Sequence, residues 1–196
     1  MRLCYLNVMR NILFFGDSLT AGYGLADARK EACPALIQQK LIAEGYDYHV
    51  INGGLSGDTS GGGLTRLDYW LNRPIDVFIL ELGINDIRRH ISPTKIYQNL
   101  DAIVIKVKTK YPDVKLALMG MQIPALIPGL PVDSFNAIFK KLADGHQMVF
   151  VPFYLDGVAG QVHLNIRDGL HPSAEGYKVI AEKIWPVIKP LLVKDN

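Results

Sequence analysis

Five short apolar runs, Ile12 to Phe15, Tyr48 to Ile51, Val77 to Leu82, Lys115 to Met119 and Met148 to Val151, recur along the chain without the polar alternation of a half-wet sheet. Strands of that kind are covered on both faces, the condition of a parallel sheet. Helix candidates lie between them near 32–44, 60–72, 94–110 and 134–144. A last one is expected near 173–193, kinked or interrupted at Pro186. Strands each followed by a helix predict an α/β fold: a three-layer α/β/α sandwich whose five-stranded parallel sheet is joined by right-handed crossovers, in the flavodoxin-like order 2-1-3-4-5. A length of 196 residues, without repeats or linker-like stretches, predicts one domain over 1–196.

Composition narrows the function. Twenty-one basic against 19 acidic residues leave a net charge of +2, too small for the broad positive field that gathers nucleic acid, so no nucleic-acid partner is expected. Cys4 and Cys33 are too few for a disulfide framework and lie in no zinc-binding cluster, which predicts free thiols and no metal. The apolar run from Leu3 to Met9 is broken by Asn7 and stopped by Arg10, so neither an export signal nor a membrane span is expected, and the expected location is cytoplasmic.

Ligands of open parallel sheets bind beyond the carboxyl ends of the strands. Small-residue segments follow the first three runs: Gly16-Asp17-Ser18-Leu19-Thr20-Ala21-Gly22-Tyr23-Gly24, then Asn52 to Ser60, then Gly83-Ile84-Asn85-Asp86. In the order 2-1-3 they converge as loops. A serine hydroxyl becomes a useful nucleophile when a histidine takes its proton and a carboxylate fixes that histidine. Ser18 stands at the mouth of the first strand, and Asp168-Gly169-Leu170-His171-Pro172 supplies the other two groups three residues apart. Gly57 N–H, the Asn85 side-chain amide and Ser18 N–H are candidate donors for an oxyanion hole.

These four blocks, in this order and over nearly the whole length, resemble the SGNH hydrolases, also called the GDSL esterase/lipase family, and within it the bacterial thioesterase/lysophospholipase and arylesterase branch. The resemblance implies Ser18 as nucleophile, His171 as general base and acid, Asp168 as its orienting partner, Gly57 and Asn85 as oxyanion donors, and no cofactor. It implies hydrolysis of small-molecule carboxylic esters or thioesters of small to medium acyl groups. A carbohydrate O-deacetylase or lysophospholipase with the same site is the near alternative, and a non-catalytic flavodoxin-like binding module the distant one. The stretch Pro124-Ala125-Leu126-Ile127-Pro128-Gly129-Leu130-Pro131 departs from the branch's Pro-Asn-Tyr-Gly continuation and borders the expected acyl or leaving-group side.

Plainer roles compete at several positions. Asp17 reads as an acceptor for loop N–H groups, Asp58-Thr59-Ser60 as a helix cap, and Pro172-Ser173 as a helix start beside His171. Gly61, Gly62 and Gly63 lack the Lys-Ser or Lys-Thr of a phosphate loop. His49, His90, His146 and His163 read as surface or packing residues; His163 alone shares the loop of Asp168, which leaves a substrate contact as its alternative.

Overall fold

The computed structural model describes residues 9–124, 129 and 131–194. The start of the chain, with Cys4 and most of the run Leu3 to Met9, lies outside the described residues, as do 125–128 and Leu130 of the divergent stretch. Five strands, β1 (Arg10–Gly16), β2 (Tyr48–Asn52), β3 (Val77–Glu81), β4 (Lys115–Met119) and β5 (Val149–Val151), form one sheet in the order β2-β1-β3-β4-β5. All its pairings are parallel. Eight helices are described: α1 (Ser18–Ala21), α2 (Ala28–Glu31), α3 (Cys33–Ala43), α4 (Ser60–Trp70), α5 (Ile84–Arg88), α6 (Pro93–Lys110), α7 (Val132–His146) and α8 (Ala174–Ile188). Helices α3 and α8 pack together, and α4, α6 and α7 pack side by side, which makes the outer layers of the α/β/α sandwich.

The central strands obey the two-face rule. Every residue of β3, and Ile12 to Gly16 of β1, is buried, with Phe14, Phe15, Phe78 and Ile79 among the large core side chains. The edge strands β2 and β5 are only partly buried, contrary to the expectation for all five, because each has a neighbour on one side alone. Helix α6 shows how sequence becomes layer: Ser92 caps it, Pro93 occupies its first turn, and Ile96, Leu100, Ile103, Val104 and Val107 bury one stripe.

Two further expectations need correction. The segments after β1 and β3 are not plain loops, since each starts a short helix, α1 and α5. The last helix is not interrupted at Pro186: it runs to Ile188 and passes into a 3₁₀ turn, Lys189–Leu191. Proline so near the end removes little of the hydrogen-bond ladder, and the buried Ile184, Trp185 and Ile188 keep the helix docked. Among the described residues no helix is long and apolar enough to cross a membrane.

Candidate active site

The site forms where β1 ends. Asp17 caps α1, its Oδ1 accepting the Leu19 N–H at 3.0 Å, so that Ser18 becomes the first helical residue directly at the strand mouth. The Tyr177 hydroxyl of α8 donates to Leu19 O at 2.9 Å and ties this turn to the helix layer. Asp17 is fully buried, and burial first of all pushes its carboxyl up to about 6, against the lowering effect of the Leu19 N–H. The acceptor role expected for Asp17 is therefore what it performs.

Ser18 is only 7% exposed, and its Oγ lies 2.9 Å from His171 Nε2. His171 Nδ1 lies 2.6 Å from Asp168 Oδ2, while Asp168 Oδ1 accepts the Leu170 and His171 N–H groups at 2.9 and 3.0 Å. Partial burial alone would raise the Asp168 carboxyl, but these N–H groups and the imidazole outweigh it and hold the carboxyl down at about 2. The turn is framed by the Ile166 N–H donating to His171 O at 2.8 Å and by the Ser173 N–H donating to Leu164 O at 2.8 Å. Ser173 caps α8 with its own hydroxyl, as expected. The exposed Tyr23 ring lies 4.8 Å from the His171 ring.

Gly57 has φ +78, a left-handed conformation that an L side chain adopts only with strain. Its carbonyl accepts from Arg89 Nη2 at 2.9 Å, and its N–H donates to no acceptor among the described residues; the same is true of Ser18 N–H. The Asn85 amide is already engaged. Its Nδ2 donates to Asp17 Oδ2 and to the carbonyl of Asp58, the neighbour of Gly57, both at 2.9 Å. Asn85 is thus strung between the Ser18 turn and the Gly57 loop. Thr59 caps α4 through Gly62 N–H at 3.1 Å, the capping expected there.

A groove of about 540 Å³ opens over these groups. Ser18, Asn85 and His171 line it, with Ile87, Met121, Ile123, Phe153 and Leu155 making its walls mostly apolar. Gly57 and Asp168 are not among the lining residues, and Pro124 is the one described residue of the divergent stretch that borders it. His163 is the surface residue expected: it lies in an exposed 3₁₀ turn, Val162–Leu164, and is not among the lining residues, so the weaker alternative of a substrate contact is not met. His146 is bound to Asp101 Oδ1 at 2.7 Å, a packing role. Among the described residues no group of His, Cys, Asp or Glu is placed to hold a metal. Cys33 is free and buried, and burial pushes its thiol up to about 12.

Sequence reasoning missed the residues that brace the site. Arg66 of α4 donates from Nε to Asp58 Oδ2 at 2.6 Å, from Nη1 to Gly53 O at 2.8 Å and from Nη2 to Gly16 O at 2.9 Å. Asp86 accepts the Ser60 N–H at 2.7 Å and the Ser60 hydroxyl at 2.6 Å, joining α5 to the start of α4. Glu81 is buried under the nucleophile turn. A signal for Glu81 exists in the sequence, a lone carboxylate within Val77 to Leu82.

Comparison with known proteins places the chain in one family. Residues 14–179 match the model of the GDSL-like Lipase/Acylhydrolase family. Esterase TesA of Pseudomonas aeruginosa is 36% identical over 185 residues, covering 93% of this chain and 90% of that one. An arylesterase of Vibrio mimicus is 36% identical over 172 residues, covering 87% and 84%. The crystal structure of the psychrotrophic esterase EstA from Pseudoalteromonas sp., inhibited by monoethylphosphonate, superposes with a TM-score of 0.83 at 33% identity, covering 92% of this chain and 97% of that one.

Proposed function

This chain belongs to the GDSL-like lipase/acylhydrolase family, and from that premise we propose that it hydrolyses small-molecule carboxylic esters and thioesters with Ser18 as nucleophile and His171 and Asp168 completing a triad. His171 Nε2 withdraws the Ser18 proton as Oγ attacks the carbonyl carbon, and Asp168 fixes the tautomer and steadies the imidazolium. The oxyanion meets the free Gly57 and Ser18 N–H groups and the Asn85 amide, which shares in a three-centre bond the hydrogen it gives to Asp58 O. His171 then protonates the leaving group, and water repeats the cycle on the acyl-enzyme. The observation that carries this reading is the unbroken Ser18–His171–Asp168 contact of 2.9 and 2.6 Å.

The apolar groove favours an acyl chain over a sugar, so the ester and thioester reading ranks above O-deacetylation. Hydrolysis of a short-chain nitrophenyl ester by wild type and Ser18→Ala tests the assignment. The variant is expected to lose on the order of 10⁶ in kcat, and Asn85→Ala about 10² to 10³. An organophosphonate is expected to label Ser18 covalently; unchanged turnover in Ser18→Ala would refute Ser18 as nucleophile, and an unlabelled Ser18 with no hydrolysis by wild type would leave only a binding module.

A further inference from the structure

Glu81 ends β3 in register with Gly16, the last residue of β1, and its side chain is 1% exposed. Its Oε2 accepts the Asp17 N–H at 3.2 Å and the Thr20 hydroxyl at 2.8 Å. Its Oε1 is buried and meets no donor. Among the described residues no Lys, Arg or His nitrogen forms an ion pair with it, while the Asp17 carboxyl lies within hydrogen-bonding reach. The fit is close: a Cβ on Gly16 would fall 2.6 Å from Glu81 Oε2. Two ionised carboxylates without a cation repel strongly in so dry a place, and an orphaned buried acceptor is costly. One proton on Oε1 removes both penalties, because it neutralises one of the two acids and turns the orphan atom into a donor beside a carboxylate that can accept.

We infer that Glu81 is held as the neutral acid, donates its Oε1–H to the Asp17 carboxylate, and through Asp17 aims the Asn85 amide; it is a positioning residue of the oxyanion hole. Asp17 is the relay. It accepts Leu19 N–H on Oδ1 and Asn85 Nδ2 on Oδ2, so that cap, amide and buried acid meet on one carboxylate. Burial first, and the Asp17 charge second, push Glu81 well above the usual carboxyl range. The other groups around the pair are Cys33 of α3, Tyr154 after β5 and Tyr177 of α8, all kept neutral by burial, with Asp58 and His171 at the site side. The catalytic half of this inference rests on the oxyanion role of Asn85; the location of the proton does not.

Infrared difference spectroscopy of the full chain at mildly alkaline pH is expected to show a protonated-carboxyl C=O stretch in wild type that disappears in Glu81→Gln. No such band would overturn the inference. Glutamine reproduces the neutral acid, one donor and one acceptor, so Glu81→Gln is expected to keep kcat within about threefold and to leave KM unchanged. Glu81→Met removes the donor and is expected to lower kcat by about 10- to 100-fold with little effect on KM, as for an interaction strongest in the transition state. A Glu81→Gln variant as impaired as Glu81→Met would mean that an ionised carboxylate is needed, against the inference. If Asn85→Ala were fully active, the positioning role would fall, while the infrared band would still support the shared proton.

Discussion

Arg66 offers the sharpest test of how the site is held, because its guanidinium bridges three segments. It pairs with Asp58 beside Gly57, donates to the carbonyls of Gly53 and Gly16, and lies 4.1 Å over the Phe15 ring. Side-chain exposure is 19% for Arg66 and 6% for Asp58, so this is a largely buried pair. Arg66→Ala would leave the Asp58 carboxylate with only the Thr59 N–H and strip two carbonyls of their guanidinium donors. Removing one partner of a buried pair costs about 3–5 kcal/mol. With an unfolding entropy of roughly 2.1 cal/mol/K per residue, 196 residues give about 0.4 kcal/mol/K, so Tm should fall by about 10 °C. Arg66→Lys keeps the charge but not the planar fork, and should recover about half of that loss. Scanning calorimetry measures both shifts, and ester hydrolysis well below Tm should show kcat of the alanine variant down about tenfold as the Gly57 loop loosens. A Tm change under about 3 °C in Arg66→Ala, or a lysine variant indistinguishable from wild type, would refute the bridging argument.

Two further outcomes follow from the geometry. The Asp168 carboxyl is held at about 2 against a reference of 3.8, so the stability it contributes is complete above the reference value and is lost as pH falls towards 2. Its side chain is 34% exposed, so the screened contribution is under about 1 kcal/mol, visible as a slightly shallower acid limb in a Tm-against-pH series for Asp168→Asn; a steeper limb would contradict it. In the groove, each buried methylene is worth about 0.8 kcal/mol, so kcat/KM should rise about fourfold per added carbon along a nitrophenyl ester series until the walls are filled. Ile123→Trp should cut that rise short while sparing the acetate, and an unchanged chain-length profile would remove Ile123 from the acyl wall.

The sheet was legible because hydrophobic burial writes itself into local composition. Val77 to Leu82 can be wholly apolar but for Glu81 only if both faces are covered, and the order of the small-residue segments then follows from strand order. Helices long enough to show a stripe, such as α6, were readable for the same reason, whereas α1 and α5 span four and five residues and are too short for any periodicity. Ser18, His171 and Asp168 could be named because their chemistry demands those residue types. Arg66, Asp86 and Glu81 were not, since an arginine reaching backbone carbonyls, or a buried acid that keeps its proton, depends on distances between segments far apart in sequence. The engaged state of the Asn85 amide is likewise a fact of three dimensions.

The turn from Asp168 to His171 carries its own internal geometry: the imidazole and the carboxylate bound to it are separated by two residues and tied by the Leu170 and His171 N–H groups. Tertiary structure therefore has one separation left to fix, from imidazole to alcohol. A displacement of this segment relative to the sheet would carry carboxylate and imidazole together and, on the proposed mechanism, would attenuate proton transfer from Ser18 without disturbing their alignment with each other. Natural or engineered drift in the distant packing should accordingly tune how fast the nucleophile is activated long before it scrambles the acid–base unit itself.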